Sequence, residues 1–430
     1  MNEQKNYQTM TSNNLTKGIA RAKKYSVCLL ALKKSDRKNV LLQLAKILKQ
    51  ETVNIIKKNK KDIEIARENG HIESFIERLE LDKNKIRLMA DSLSDLAILK
   101  DILFKTIREK DMTSGIHIKK ISVPLGLIAM IYESRPNVTI DAFAMAFKSG
   151  NAIILKGGKE IQNTNKILVS LVKKALKKFS INPNIIQDFS GIDKNLSLQL
   201  ISNQKIDCLI PRGGKNLIKF IRENAKVPTI ITGASVVHIY VDESADLELA
   251  KKVIVNAKTR RVSICNALDV LLINKKIYKK ILAELAPLLV DKNVTIIADK
   301  VGYDSLKKIN YALLRKADKN DFDTEFLDYT LAVKIVDNLG EAINHIQKHS
   351  LGHSEAIITK SKVNIDSFFQ NIDAACLYLN TSTQFSDGEE FGMGGEIGIS
   401  TQKLHARGPF AYSELTTYKY LVTSNGAIRK

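Results

Sequence analysis

Residues 127–159 read LIAMIYESRPNVTIDAFAMAFKSGNAIILKGGK, and this stretch decides the fold class. An apolar run, Leu127–Tyr132, leads through a polar loop into a helical pattern over 139–148, and a second apolar run, Asn151–Leu155, follows. Short, fully apolar runs are typical of strands buried on both faces, and Gly150 suits the C-cap of the helix between them. A strand, a helix and a strand in this order predict a parallel sheet with a right-handed crossover.

The same rhythm continues on the C-terminal side of this stretch. A Lys-rich helix over 163–178 precedes a strand at 207–210, and the turn after that strand opens another helix. A second α/β block begins near Val236. Its predicted strands are 238–241, 268–273, 294–297 and 331–336. The chain closes with a glycine-rich loop at 391–395 and a predicted strand at 415–422.

The N-terminal part of the chain has a different periodicity. Residues 13–110 carry apolar side chains at helical spacing among lysines, as at Leu41, Leu44 and Leu48, and this pattern predicts a group of helices. From about Gly115 the apolar residues fall on near-alternating positions, which predicts a strand in a hairpin or an arm.

The composition limits the class of protein. A length of 430 residues indicates two or three domains, and 44% hydrophobic residues exclude disorder as the main state. The four cysteines include no CxxC pair, which argues against a zinc site or a disulfide framework and for a reducing compartment. The chain has no apolar stretch of ~18 residues, and residues 1–17 lack the apolar core of a secretory signal. We therefore expect a cytoplasmic protein that binds neither a metal nor a membrane.

The net charge of +21 has two interpretations. The abundance of Lys, Asn and Ile is typical of an A/T-biased coding sequence, which favours a plain Lys-rich surface. A basic surface also attracts polyanions without sequence preference. The lysines are spread through the helices and no nucleic-acid-binding motif accompanies them, so we expect no nucleic-acid partner.

Cys265 is the first candidate for chemistry. Arg260 and Arg261 precede it and would favour a thiolate, which is the nucleophilic form of cysteine. The alternative is a small buried hydrophobic residue, and this alternative is favoured for Cys28, Cys208 and Cys376.

Two glycine pairs follow predicted strands, in Lys156-Gly157-Gly158-Lys159 and in Arg212-Gly213-Gly214-Lys215. Such turns let the backbone approach a phosphate, and a helix N-terminus favours an anion. Neither turn fits a GxGxxG or a GxxxxGK[ST] motif, so a plain tight turn and a phosphate-bearing cofactor both remain open.

Two loops carry further polar candidates. In the loop 132–137 the Asn137 amide can donate a hydrogen bond to a developing oxyanion, or the residue can serve only as a turn former. In the loop 397–408, Lys403, His405 and Arg407 can bind an anionic substrate or lie on a solvated surface.

Several long motifs, in the right order along the chain, carry a resemblance that covers residues 15–425. These motifs are Val123–Ile128, Tyr132–Thr139, Lys148–Glu160, Ile210–Lys215, Val255–Thr259, Cys265–Ala267 and Gly398–Pro409. Together they resemble the aldehyde dehydrogenase superfamily, and within it the gamma-glutamyl phosphate reductases.

The resemblance implies an aldehyde dehydrogenase-like α/β fold with a doubly wound cofactor domain, an α/β catalytic domain and a β arm for oligomerisation. The implied boundaries are 13–114 and 127–235 for the cofactor domain, 236–373 for the catalytic domain, 115–126 and 401–430 for the arm, and 374–400 for a return to the cofactor domain.

The resemblance also implies roles for individual residues. Cys265 matches the nucleophile, and Asn137 matches the amide of the oxyanion hole. Lys156 matches the lysine that binds the adenosine ribose, and Glu325 matches the glutamate that binds the nicotinamide ribose. The predicted cofactor is NADPH. We add Gly157, Gly158, Arg212, Gly213 and Gly214 as cofactor-binding residues, and Arg135, Lys403 and Arg407 as candidates for binding substrate anions.

The implied reaction is the NADPH-dependent reduction of L-glutamyl 5-phosphate to L-glutamate 5-semialdehyde and phosphate, the second step of proline synthesis from glutamate. Ile231 stands where oxidising aldehyde dehydrogenases carry the glutamate that hydrolyses the thioester, as a reductase requires. The alternative is an aldehyde or acyl-phosphate oxidoreductase of the same superfamily with a different substrate. We expect a homo-oligomer, functional coupling to glutamate 5-kinase and, since no kinase-like segment precedes residue 15, the stand-alone form.

The chain departs from the family pattern at five positions. They are Arg260 for Gln, Val262 for Pro, Ser235 for Gly, Val237 for Cys and Gln384 for Arg. Loss of the arginine at 384 would weaken attraction for an anionic substrate.

Overall fold

A computed structural model of the chain describes residues 11–429. Its α-helices are α1 (Ser12–Ser26), α2 (Lys34–Gln50), α3 (Thr52–Glu68), α4 (Glu73–Leu79), α5 (Lys83–Ile98), α6 (Asn137–Lys148), α7 (Gln162–Lys178), α8 (Lys194–Ile201), α9 (Lys215–Asn224), α10 (Leu247–Thr259), α11 (Tyr278–Val290), α12 (Lys300–Lys308), α13 (Leu339–His349) and α14 (Lys362–Asn371). Its strands are β1 (Thr106–Asp111), β2 (His117–Pro124), β3 (Leu127–Tyr132), β4 (Ala152–Lys156), β5 (Ile186–Asp188), β6 (Cys208–Arg212), β7 (His238–Val241), β8 (Val270–Asn274), β9 (Thr295–Ala298), β10 (Leu314–Lys316), β11 (Thr330–Val336), β12 (Ser354–Ile358), β13 (Cys376–Leu379), β14 (Gly398–Ser400), β15 (Gly408–Phe410) and β16 (Thr416–Thr423).

The described chain forms two compact units. The first contains residues 11–232, 392–398 and 410–429, and the second contains Gly233–Phe391 and Ile399–Pro409. Each unit has its own parallel sheet, so the predicted α/β class with parallel sheets is confirmed.

The parallel sheet of the first unit has the strand order β5-β4-β3-β6. Every residue of β3 is buried, as the apolar run predicts. The chain leaves β3 in one direction toward β4 and β5 and later returns to the other side of β3 as β6. The carboxyl ends of β3 and β6 therefore flank the point where the strand order reverses, which is the usual ligand-binding position in such sheets.

Helix α6 connects β3 to β4 and packs on the sheet through its apolar face. The rings of Phe143 and Phe147 stack with centroids 5.4 Å apart, and burying each ring contributes about 1.5–3 kcal/mol. The helix ends before Gly150, whose φ of 76° is costly for residues with a side chain. A Cβ there would also collide with Leu103 and Pro124, so glycine is required on both grounds.

An antiparallel sheet with the order β1-β2-β16 also belongs to the first unit. The predicted helical character of 13–110 is wrong for its last residues, because Thr106–Asp111 pairs with β2 as a strand. All six residues of β1 are exposed. Because the strand has no buried face, its sequence lacks the alternating apolar pattern that would predict a strand. The role of this sheet in oligomerisation stays a prediction.

The second unit is built on a seven-stranded parallel sheet with the order β10-β9-β11-β8-β7-β12-β13. Two apolar cores cover its two faces, one with Leu271 and Ile273 and one with Val270 and Leu272 of β8. The predicted strands at 268–273, 294–297 and 331–336 are confirmed to within two residues. The sequence pattern did not indicate β10 or β12, whereas Cys376, which begins β13, lies in a run with strand character.

Candidate active site

Cys265 lies in the segment that connects α10 to β8 in the second unit. Backbone hydrogen bonds run from Ala267 N to Ile264 O at 3.1 Å and from Leu268 N to Ala257 O at 3.0 Å. The Asn266 side chain donates to Ser386 O at 2.9 Å. Cys265 is partly exposed on this segment, whereas Cys208 and Cys376 are buried. The partial exposure of Cys265 argues against a core residue, and its role as the nucleophile stays a prediction.

The hydroxyl of Ser235 lies between Cys265 and Glu325. Ser235 Oγ donates to the backbone carbonyl of Cys265 and also lies 3.2 Å from Glu325 Oε1. The Ser235 N–H points to the same carboxylate oxygen at 3.3 Å. One side chain thus joins the segment that carries the thiol to the glutamate that the resemblance assigns to the nicotinamide ribose.

The buried carboxylate of Asp269 binds the backbone just after Ser235 and just after Glu325. Asp269 accepts hydrogen bonds from Val237 N and Phe326 N, both at 3.1 Å. Lys258 Nζ is fully buried nearby and donates to Leu268 O at 2.9 Å. Burial raises the pKa of Asp269 to about 6 and lowers the pKa of Lys258 to about 8, and the attraction between the two charges opposes both shifts.

Two of the departures from the family pattern contact each other. Arg260 Nη1 lies 3.3 Å from Gln384 Oε1, although 124 positions separate the two residues in sequence. The Gln384 amide is buried and donates to Ala257 O at 2.7 Å near the end of α10. The resemblance implies glutamine at position 260 and arginine at position 384, so this chain keeps one guanidinium and one amide at the two positions.

Asp373 binds the two cations predicted to contact the substrate in the loop 397–408. Lys403 Nζ contacts Asp373 Oδ2, and Arg407 Nη2 lies 2.5 Å from Asp373 Oδ1. These hydrogen bonds lower the pKa of Asp373 to about 2, so the carboxylate stays charged at neutral pH. Substrate binding by Lys403 and Arg407 stays a prediction, and it would have to compete with Asp373.

Asn137 begins α6 at the carboxyl end of β3 in the first unit. Its amide Nδ2 donates to Asp141 Oδ2 at 3.0 Å, one helical turn further on. The charge of Arg212, at the end of β6, acts on the same carboxylate. Arg212 Nη1 itself donates to the backbone carbonyl of Ile397. The exposed Arg135 precedes the helix and accepts from Val138 N through its backbone carbonyl.

Lys156 ends β4 and carries a partly buried ammonium group. Burial lowers the pKa of Lys156, and the carboxylates of Glu160 and Glu133 oppose that shift. The next residue, Gly157, donates its N–H to Ser190 Oγ at 3.0 Å. The negative charges of two carboxylates thus act on a cation at the edge of the sheet where ligands of α/β folds bind.

Contacts within the chain explain both glycine pairs. A Cβ on Gly157 would collide with the side chain of Asn165. A Cβ on Gly213 would collide with the carboxylate of Glu133, which accepts from Gly214 N at 2.9 Å. At the start of α9, Glu133 therefore occupies the place that an external anion would take. Phosphate binding by the two pairs stays a prediction.

Comparisons with known proteins identify the family of this chain. The model of the aldehyde dehydrogenase family matches residues 2–296. A gamma-glutamyl phosphate reductase of Legionella pneumophila is 48% identical over 410 residues, which are 95% of this chain and 97% of the relative. A crystal structure of gamma-glutamyl phosphate reductase from Thermotoga maritima superposes with a TM-score of 0.94 at 39% identity, over 97% of this chain and 100% of the other.

The chain belongs to the gamma-glutamyl phosphate reductase family. This family lies within the aldehyde dehydrogenases, so the predicted recognition and the predicted fold class are confirmed. An acetylating aldehyde dehydrogenase from Geobacillus thermoglucosidasius, at 16% identity and a TM-score of 0.69, shares the fold alone.

Sequence reasoning missed three carboxylates near its candidate site residues. They are Asp141 beside Asn137, Asp269 at the N–H of Phe326 next to Glu325 in sequence, and Asp373 beside Lys403 and Arg407. Only Asp141 carried a usable signal, because positions four apart on a helix lie on the same face. Asp269 and Asp373 contact segments that are distant in sequence.

Among residues 11–429, no cluster of three or more His, Cys, Asp or Glu residues has the arrangement of a metal site. Over the same residues, every helix is too short or too polar to cross a bilayer.

Proposed function

We propose that the protein reduces L-glutamyl 5-phosphate to L-glutamate 5-semialdehyde and phosphate, with NADPH as the reductant and Cys265 as the nucleophile. The observation that carries the proposal is the partial exposure of Cys265 on a segment tied by Ser235 to Glu325. Near-full-length similarity to proteins named gamma-glutamyl phosphate reductase supports the choice of substrate.

The residues present fit a nicotinamide dinucleotide. Lys156 offers an ammonium group that is partly desolvated and so binds an electron-rich oxygen more strongly than a fully hydrated lysine does. Glu325 offers a carboxylate oxygen that can accept from a ribose hydroxyl. When bound, the nicotinamide supplies the hydride that reduces the thioester.

The residues of the chain carry out the other steps. The Cys265 thiolate attacks the acyl carbon, a carbon–sulfur bond forms, and the carbon–oxygen bond to phosphate breaks. The Asn137 amide donates to the carbonyl oxygen as negative charge develops on it. After reduction, the carbon–sulfur bond breaks, the aldehyde leaves and the thiolate returns to Cys265. Ile231 is apolar and buried, so it offers no base for hydrolysis of the thioester.

Two features of the assembly are proposed from the resemblance. The sheet of β1, β2 and β16 mediates a homo-oligomer, and the enzyme is functionally coupled to glutamate 5-kinase, because acyl phosphates are short-lived in water. Arg135, Lys403 and Arg407 are proposed to bind the anionic groups of the substrate.

The reverse reaction tests this proposal, with pyrroline-5-carboxylate, phosphate and NADP⁺ as reactants and formation of the reduced nicotinamide as the signal. We expect Cys265→Ala to abolish turnover and Cys28→Ala, which removes an exposed thiol far from this segment in sequence, to leave it unchanged. Turnover that survives Cys265→Ala would refute the assignment of the nucleophile. Faster turnover of a simple aldehyde would favour the alternative substrate class.

A further inference from the structure

The Asn137 side chain is held by one hydrogen bond to a carboxylate on its own helix. Asn137 Nδ2 donates to Asp141 Oδ2 at 3.0 Å, and the two residues are four positions apart in α6. A primary amide nitrogen carries two hydrogen atoms, and Asp141 takes one of them. The second remains for another acceptor, in a direction set by the first.

We propose that Asp141 is a positioning residue for the reaction, because it orients the Asn137 amide so that the second N–H points to the carbonyl oxygen under attack. The inference rests on the proposed function, in which Asn137 donates to the developing oxyanion. Asp141 itself does not touch the substrate in this scheme.

The charge of the Asp141 carboxylate explains why the orientation is unique. The terminal torsion of an asparagine is broad, and its amide can present either nitrogen or oxygen to a neighbour. An ionised carboxylate only accepts hydrogen bonds, so it selects the amide nitrogen and turns the amide oxygen away. An amide oxygen in the wrong place would repel the developing oxyanion instead of stabilising it.

The surroundings of Asp141 determine when it is ionised. Desolvation in the apolar helix raises its pKa to about 6, whereas the hydrogen bond from Asn137 and the charge of Arg212 oppose the shift. The Tyr132 hydroxyl, at the end of β3, forms a hydrogen bond with the Thr139 hydroxyl of α6. It stays neutral, because burial raises the pKa of Tyr132. Lys148 lies at the far end of α6 and donates to carbonyl oxygens of the preceding segment.

The sign of the pH effect follows from this pKa. Above about pH 6 the Asp141 carboxylate is charged and holds the amide. Below that pH the carboxyl group of Asp141 is protonated, so its negative charge no longer strengthens the hydrogen bond from Asn137. The protonated carboxyl oxygen can then donate to the Asn137 amide oxygen instead. We therefore expect kcat to fall as the pH falls through about 6.

The experiment measures kcat and KM for the full-length protein from pH 5 to pH 8 in the variants Asn137→Ala, Asp141→Ala, Asp141→Asn and the double variant Asn137→Ala/Asp141→Ala. Loss of one oxyanion donor lowers kcat about 10²- to 10³-fold, so we expect that loss in Asn137→Ala. We expect Asp141→Ala to lower kcat at least tenfold with little change in KM, and the double variant to be no slower than Asn137→Ala. Asp141→Asn, which keeps an acceptor but does not titrate, should retain more activity than Asp141→Ala and lose the acid limb near pH 6.

Three outcomes separate the possibilities. If Asn137→Ala lowers kcat but Asp141→Ala does not, or if the two losses multiply in the double variant, the positioning role is wrong. If Asn137→Ala itself leaves kcat unchanged, the proposed oxyanion role of Asn137 fails first. Asp91→Asn is the matched control, because Asp91 pairs with Lys49 and Arg87 on the surface of α5 and should leave kcat and its pH profile unchanged.

Discussion

Ser235 Oγ donates a hydrogen bond to the backbone carbonyl of Cys265, which lies 30 positions further along the chain. The same hydroxyl lies 3.2 Å from Glu325 Oε1, so it has two acceptors for one proton. A glycine, which the family pattern has at this position, cannot make this contact. The Ser235 hydroxyl therefore links the candidate nucleophile and the candidate ribose-binding carboxylate.

Ser235→Gly tests the importance of this link. A single hydrogen bond contributes about 0.5–1.5 kcal/mol, which corresponds to a factor of about 2–10 in an equilibrium constant. We expect KM for the nicotinamide cofactor to rise by such a factor, because Glu325 loses a donor that orients it. Steady-state kinetics measure this change, with Ser263→Gly in the exposed part of the same segment as the control. An unchanged KM would show that Glu325 is held without Ser235.

Arg260 and Gln384 form a pair whose members can be exchanged. Gln384→Arg alone would place a guanidinium group at a buried position, next to the exposed Arg260. We expect thermal unfolding at a midpoint several degrees lower, since about 1 kcal/mol corresponds to about 2–4 °C in a unit of this size. The double variant Arg260→Gln/Gln384→Arg restores one guanidinium and one amide, so its midpoint should recover most of the loss. Additive losses in the double variant would contradict a coupled pair.

Lys156 should determine how cofactor affinity depends on pH. Burial lowers the pKa of Lys156, and only the protonated form attracts an electron-rich oxygen. The affinity is therefore lost on the alkaline side, and at a lower pH than for a hydrated lysine. Titration of binding by fluorescence of the reduced nicotinamide should show this loss in the wild type. Lys156→Ala should bind weakly at every pH, whereas Lys174→Ala, on the surface of α7, should match the wild type.

Asp373 provides a test of the proposed substrate cations. If Lys403 and Arg407 bind the anionic groups of the substrate, Asp373 competes with the substrate for both of them. We then expect Asp373→Asn to lower KM for the substrate and the double variant Lys403→Ala/Arg407→Ala to raise it, with kcat little changed. Because the Asp373 carboxylate is already charged above about pH 2, its competition should not vary between pH 6 and pH 8. A KM that is the same in all variants would place these residues outside the substrate site.

The local pattern of the sequence was sufficient to predict most strands of the two parallel sheets. Fully apolar runs such as Leu127–Tyr132 identify buried strands because both faces of such a strand need apolar side chains. The strand Ser354–Ile358 escaped prediction because it begins with Ser354 and Glu355, two polar residues that are fully buried. Glu355 is paired with His238 across the sheet, and no local pattern contains that contact.

The sequence by itself determined the α/β class, the family and the candidate nucleophile at Cys265, because these depend on short-range periodicity and on motifs of contiguous residues. Only the tertiary structure decided which partner each of the polar side chains contacts. It placed Glu133 at the start of α9, Asp269 against the N–H of Phe326 and Gln384 beside Arg260. The reason is physical: a hydrogen bond or an ion pair acts over about 3 Å in space, and the fold brings together groups that lie 57 to 124 positions apart.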